Sequence, residues 1–225
     1  MLVSEIVTRV RGVIDELMEN DSDFLRESED EKNLTQIIVD KVGYALQYVI
    51  ANAPLDKLDD SELSTPTSAE TGSGNFAVDS QTLEATFKIP TDCLRIIEAR
   101  LSSWTHAPIP VRSSSPVALM QQDEYAKGSW DRPVNVLTYG SDGRRSLKMY
   151  CARATTDTLV FVFIRKPDTS TISLSTNITV PSQLEASLIY HIAGLVMTAF
   201  KDDVAASLFA IAQRHLDPTG ERNGE

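Results

Sequence analysis

Residues 188–200 are the longest apolar stretch of the chain, and together with Leu184 they place Leu, Ile, Val and Phe on nearly every side of a helical projection. A helix of that kind has almost no solvent face and belongs at the centre of a bundle, covered on several sides. The stretch carries Tyr190 and His191 and falls short of the roughly 20 residues a membrane-spanning helix needs, so no segment is expected to cross a bilayer. The cover must come from elsewhere in the 225 residues.

Two further stripes supply it from the N-terminal side. Val3, Ile6, Val7, Val10, Ile14, Leu17 and Met18 recur at helical spacing, with Glu5, Arg9, Asp15 and Glu16 on the other faces. Asn20-Asp21-Ser22 stops that helix. A second stripe, from Leu34, Ile37 and Ile38 to Val49 and Ile50, runs to Ala53, where Pro54 excludes helical geometry at the residue before it. These two predict an antiparallel hairpin. Pro181 and Ser182 open the apolar helix, 201–203 form a tight corner, and Val204, Leu208, Phe209, Ile211, Ala212 and Leu216 predict a fourth helix folding back on the third. Each fully buried Leu, Ile, Val or Phe contributes roughly 1.5–3 kcal/mol, enough for these stripes to support one four-helix core.

The middle of the chain reads differently. Residues 56–75 turn to Asp, Ser, Thr, Glu and Gly and predict an exposed loop or arm. Residues 83–89 alternate as a strand, 90–92 turn, and 94–101 form a second β-rich run ending at Trp104. Ser115-Pro116 starts a short helix with Leu119, Gln122 and Tyr125 on one side, closed by Gly128. Residues 134–139 and 147–151 flank Ser141-Asp142-Gly143 as a hairpin, because Asp-Gly supplies the positive φ that tight hairpin turns demand. Residues 159–164 add a strand. The expected class is α+β: a four-helix body (1–55 and 181–216) with a polar arm (56–75), a β-rich insertion with a short helix (76–180) and a polar tail (217–225).

Charge is distributed unevenly. Residues 1–75 hold 6 basic and 16 acidic side chains against 15 and 16 in 76–225, and the total is 21 − 32 = −11. Within 125–166, eight basic residues face three acidic ones. Such polarity fits either ordinary solvated faces or a molecule whose acidic end meets its neighbour's basic flank. Glu5, Arg9 and Arg11 interrupt the N-terminus, so no secretory core is expected and assembly would occur in a cytoplasm.

Chemistry is sparse in the pattern. There is no GxSxG, HExxH, GxxxxGK or GxGxxG, and Cys93 and Cys151 belong to no CxxC or Cys/His spacing. His106, His191 and His215 lack a ligand or triad partner at suitable spacing. An EF-hand begun at Asp21 puts Arg26 where glycine is required and Lys32 where the bidentate Glu belongs, so those carboxylates instead favour the start of the second helix. No catalytic residue, cofactor or metal site is expected. The candidate interface residues are Trp104 and Trp130, each beside Pro, Arg or His as in binding hot spots, with Arg132, and Arg144 and Arg145 projecting after the hairpin turn.

Several runs, taken in order, carry a resemblance: Ile37-Ile38-Val39-Asp40-Lys41-Val42, Ala51-Asn52-Ala53-Pro54, Ile89-Pro90-Thr91-Asp92-Cys93-Leu94-Arg95, Leu101-Ser102-Ser103-Trp104, Asp131-Arg132-Pro133-Val134, Pro181-Ser182-Gln183-Leu184-Glu185-Ala186 and Tyr190-His191-Ile192-Ala193-Gly194-Leu195. Over residues 3–215 the chain resembles head-tail connector proteins of tailed bacteriophages, closest to ring or adaptor proteins of phages infecting Bacteroides-type gut bacteria. The likeness rests on packing and turn residues. It implies a structural virion protein forming a ring in the phage neck, of twelve identical subunits, that joins the portal protein to other neck or tail proteins and lines the passage of genomic DNA. It implies no catalytic residues. Two other classes stay open: a cellular nucleic-acid or protein binding module using the basic 125–166 region, and a small hydrolase or lyase built on scattered Asp, Glu and His.

Overall fold

The computed structural model describes residues 1–18, 28–72, 74–123, 125–140, 143–169, 171–200 and 202–217, with the side chains of 18, 28–33 and 202 left aside. Asn20-Asp21-Ser22, the side chains of the acidic run from Asp21 to Glu31, Ser141-Asp142, Lys201 and the tail beyond Asp217 lie outside the described residues. The helices, in chain order, are α1 (Val3–Met18), α2 (Ser28–Asn52), α3 (Ser68–Thr71), α4 (Pro116–Met120), α5 (Glu185–Met197) and α6 (Asp202–Leu216). The strands are β1 (Leu63–Ser64), β2 (Phe76–Val78), β3 (Ala85–Lys88), β4 (Cys93–Leu101), β5 (Val111–Arg112), β6 (Val134–Tyr139), β7 (Arg145–Tyr150) and β8 (Leu159–Arg165). The fold is α+β. The chain divides into a helical unit, Met1–Ser61 with Pro167–Glu225, and a β-rich unit, Glu62–Lys166.

In the helical unit α5 is the hub, packing against α1, α2 and α6. Leu188, Ile192, Ala193, Val196 and Met197 of α5 are fully excluded from water, as are Ile6, Val10 and Ile14 of α1 and Val42 and Val49 of α2, and Leu46 is nearly so. The apolar character of α5 on all sides thus follows from having three helical neighbours. Gly194 lets α6 come close: a Cβ there would sit 2.7 Å from the ring of Phe209. Ser187, buried in the same helix, donates its hydroxyl to the Ala212 carbonyl on α6 at 2.9 Å, so burying this polar group costs little. The last carbonyls of α6, at His215 and Leu216, accept from Lys57 Nζ at 2.8 and 3.0 Å, which places a cation at the negative end of that helix.

His191 lies within this packing. Its ring stacks on Tyr48 with centroids 4.3 Å apart and meets Phe209 at 5.1 Å. Burial lowers its pKa from the ordinary value of 6.5, because the charged form loses water without gaining a carboxylate. The unfolded chain therefore binds the proton more readily, and stability present above pH 6.5 is lost as the pH falls through the folded-state pKa. Acidification below about 6.5 is expected to lower the thermal midpoint of the wild type more than that of His191→Phe, which keeps the stacking ring and removes the titration. Parallel pH dependences for the two proteins would refute the assignment.

Residues 167–180, which the sequence pattern assigns to the β-rich insertion, belong to the helical unit. Gln47 of α2 donates to Thr169 Oγ1 at 3.1 Å, and the Thr176 and Leu174 carbonyls accept from the Val3 and Ser4 amides at 3.0 and 3.2 Å. The segment satisfies the free N–H groups at the start of α1, which a helix cannot satisfy itself.

The β-rich unit holds two sheets among the described residues, a three-stranded one in the order β1-β8-β4 and a five-stranded one in the order β2-β3-β7-β6-β5, with β5 the parallel member. Their facing side chains make one core: Phe87, Leu147 and Met149 from one, Ala99, Leu101, Phe161 and Phe163 from the other. The expected loop at 56–75 is more ordered than its composition suggests. It contains a short strand paired with β8 and a helical turn closed by a capping box, in which Thr67 N donates to Glu70 Oε2 at 2.7 Å and Glu70 N to Thr67 Oγ1 at 3.3 Å. The same backbone hydrogen bond holds the Glu70 carboxyl below its ordinary range.

Candidate functional site

The β-rich unit carries a lobe between β5 and β6. Ser115 caps α4, its hydroxyl accepting from Ala118 N at 3.2 Å, and Pro116 occupies the first turn, where its missing N–H costs nothing. The helix ends at Met120, well before the expected stop at Gly128, because Gln121 turns inward. Its Nε2 donates to the Val117 carbonyl at 2.9 Å and its Oε1 accepts from Gly128 N at 2.9 Å, so one buried amide cross-links the two ends of the lobe. A Cβ at Gly128 would lie 2.5 Å from the Arg132 carbonyl, so the return of the chain at that point requires glycine.

Among the described residues of 115–132 only Ala118 and Gln121 are buried, and Ala118 packs with Val136 and Tyr150. Leu119, Gln122 and Tyr125, placed on one side of the short helix by the sequence pattern, are all exposed. A helix of five residues with consecutive apolar side chains cannot bury them all. Tyr125 is 98% exposed, Ile109 85% and Trp130 45%, and Val117, Leu119 and Met120 are also exposed. Every large exposed hydrophobic described in this unit falls between Ile109 and Tyr139. Five of these seven, Val117, Leu119, Met120, Tyr125 and Trp130, lie on the lobe, and such a concentration, unlike scattered single residues, marks an interaction surface. Its composition, rich in Met, Tyr, Trp and Arg, is that of interface centres.

The charges around the lobe are unequally engaged. Asp123 accepts from the Tyr125 amide at 2.8 Å, and Asp131 accepts from the Ser129 hydroxyl, which holds its carboxyl below the ordinary range. Arg153 lies over the Trp130 ring at 5.3 Å. Among the described residues Arg112, Lys127, Arg132 and Arg153 form no ion pair within 4.0 Å. Among the described residues, the acids Asp123 and Asp131 are thus held by local hydrogen bonds, while no ion pair engages the cations around them.

The five residues singled out from the sequence are not brought together. Trp130 and Arg132 lie on the lobe. Trp104 is 3% exposed and belongs to the core, its indole Nε1 donating to the Cys151 carbonyl at 3.1 Å. Arg145 starts β7 half-buried, its guanidinium bonded to the Cys93 carbonyl, rather than projecting from the turn. Arg144 is exposed and borders a cleft of about 340 Å³ with Glu70, Lys88 and Asp92. Arg165 pairs there with Asp92 and with Glu70, at 3.3 Å for the latter, so that cleft is internally neutralised. The sequence reading passed over Ile109, Val117 and Met120, and counted Arg153 only among the basic residues of 125–166. The run Pro116-Val117-Ala118-Leu119-Met120, too short to be a buried helix, was the available signal for the lobe.

Among the described residues no three His, Cys, Asp or Glu side chains converge as a metal site would require. Burial pushes the Cys93 thiol up to about 11, which keeps it protonated at neutral pH. His215 stacks on Tyr190 at 5.5 Å, and His106 lies in an exposed loop beside the Thr105 hydroxyl at 3.2 Å. Among the described residues no helix is long and apolar enough to cross a membrane.

Charge separates sharply between the two units. The helical unit holds 9 basic and 21 acidic residues, 9 − 21 = −12, whereas the β-rich unit holds 12 and 11, 12 − 11 = +1. Compared with protein-family models and with curated proteins, the chain matches none.

Proposed function

We propose that this chain is a structural subunit that joins copies of itself head to tail into a ring in the neck of a tailed bacteriophage, between portal and tail, around the path of the genomic DNA. The observation that carries the reading is the pairing of unlike surfaces on one chain: a helical unit of net charge −12 and a β-rich unit of +1 with an exposed aromatic lobe. Association through unlike patches is heterologous, and it generates a closed ring when the rotation between neighbours permits. A strongly acidic unit also disfavours sticking to a phosphate backbone, which suits a conduit. The position in a phage neck, the portal and tail neighbours and a copy number of twelve rest on the resemblance in the sequence.

The alternative of a nucleic-acid binding module draws on the basic residues of 125–166, and three of these eight are engaged inside the unit. Lys148 pairs with Glu84 at 2.7 Å, Arg165 with Asp92 and Glu70, and Arg145 with a backbone carbonyl. Fewer cations then remain for phosphate than the sequence count suggests. Native mass spectrometry of the purified chain, with cryo-electron microscopy of virions, tests the proposal. A discrete oligomer that matches a ring in the neck is expected. A chain that is monomeric at all concentrations and absent from particles overturns it, and DNA binding that falls steeply with salt would favour the alternative.

A further inference from the structure

We infer that the lobe of the β-rich unit docks onto the solvent face of α2 in a second copy of this chain, an inference that rests on the ring reading. Among the described side chains of α2 the exposed positions are Gln36, Asp40, Tyr44, Tyr48 and Asn52, a spacing of four residues that forms one continuous stripe. Its middle is aromatic, with Tyr44 72% exposed. Tyr48 is fixed from behind by its stack on His191, so it presents a rigid edge at low entropic cost. Shortly after α2 in the chain, Asp56, Asp59 and Asp60 are exposed, and none forms an ion pair within 4.0 Å among the described residues.

The lobe is complementary in both respects. Met120, Tyr125 and Trp130 offer the apolar and aromatic contact, and Met fills irregular gaps against tyrosine rings. Lys127, Arg132 and Arg153 stand around them without ion pairs among the described residues. A second copy supplies what the lobe lacks, since the helical unit carries the whole negative excess of the protein. The contact joins unlike faces, so each subunit uses its lobe once and its stripe once, as a closed ring requires.

The test uses the full chain. Met120→Ser with Tyr125→Ser in one variant, and Tyr44→Ser in another, alter exposed side chains and leave the core untouched. Each is expected to raise the subunit dissociation constant at least about 30-fold, the loss typical of a hot-spot truncation, measured by native mass spectrometry over a concentration series. A benzophenone-bearing residue in place of Tyr125, in mixed light and isotopically heavy chains, is expected to cross-link to the peptide spanning residues 40–52 of the other copy. Variants that assemble as the wild type does, or cross-links that fall elsewhere on the second copy, overturn this contact and leave the ring standing. In particles, cross-links from the lobe to a portal or tail chain would show that the occupant is not a second copy. A wild-type chain that never assembles overturns both.

Discussion

Replacing Phe161 with alanine is expected to destabilise the β-rich unit by about 3–5 kcal/mol. Phe161 lies on β8, the central strand of the three-stranded sheet, and is 2% exposed. Its ring meets Phe87, from the five-stranded sheet, at a centroid distance of 4.9 Å and an angle of 60°, and Phe163 at 5.5 Å and 40°. Tilted contacts at these separations add to the area the ring buries. Removal therefore forfeits transfer energy and opens a cavity between two sheets whose strands are held in place by ladder hydrogen bonds and cannot collapse to fill it. Phe161→Leu keeps most of the volume and is expected to cost less than half as much. Both tryptophans lie in this unit, so fluorescence during urea denaturation reports it alone. A fall in the midpoint without a change in slope is the expected outcome. A loss under about 1 kcal/mol would mean that the sheets can close over the gap.

The helical unit was legible because its signal is periodic and repeated. Val3, Ile6, Val10 and Ile14 specify one face of α1, and α5 declares a central position by having no polar face. The β-rich unit was legible in part. β3, β4, the hairpin of β6 and β7, and β8 follow from alternating or β-rich runs and an Asp-Gly turn, whereas β2 and the turn that pairs it with β3 were hidden. That turn is made by Asp79, whose carboxylate accepts from the Gln81 and Thr82 amides at 2.7 and 2.9 Å, followed by Leu83 at φ 54°. Nothing about a leucine announces a left-handed backbone. Residues 167–180 misled for a related reason: they are rich in Ser and Thr, but their backbone partners are α1 and α2, far away in sequence.

The surface was harder to read than the core. Trp104 and Trp130 sit in similar local sequence, beside Pro with His or Arg, and one is core while the other is surface. Trp104 packs into the core between the sheets, where its indole N–H meets the Cys151 carbonyl, presented by a residue at φ 70°. A buried indole N–H needs such a partner, and only the tertiary fold shows where one exists. Charge had the opposite character. The acidic excess of the first third was countable from the sequence, and it sharpened into a contrast of −12 against +1 when the fold added residues 56–61, 167–180 and 217–225 to the helical body.

Asn135→Asp, a change of one atom's identity, is expected to rival Phe161→Ala in cost at neutral pH. Asn135 is fully buried on β6, and its amide Nδ2 donates to the Ala99 carbonyl at 2.7 Å and to the Pro108 carbonyl at 3.2 Å. An NH2 group is the one neutral donor that serves two carbonyls at once. It ties β4, an edge strand of one sheet, to β6 of the other, and it holds the chain at Pro108, just before β5 leads into the lobe. An ionised carboxylate would face two carbonyl oxygens in a dry site, and an uncompensated buried charge of this kind costs roughly 3–5 kcal/mol. The folded chain would escape by protonating the new acid, so its pKa in the folded state is raised above the unfolded value of about 3.9. The penalty is then small well below pH 4 and grows as the pH rises through the unfolded pKa towards the folded one. Asn135→Leu removes the donors without adding charge and is expected to lose about 1–3 kcal/mol at every pH. Tryptophan fluorescence during urea denaturation at several pH values separates the two, since other titrating groups cancel in the comparison. The Asp variant should be the weaker at pH 7 and approach or pass the Leu variant in acid. A constant gap between them would show that the charge is not buried, and that the amide does not clamp the base of the lobe.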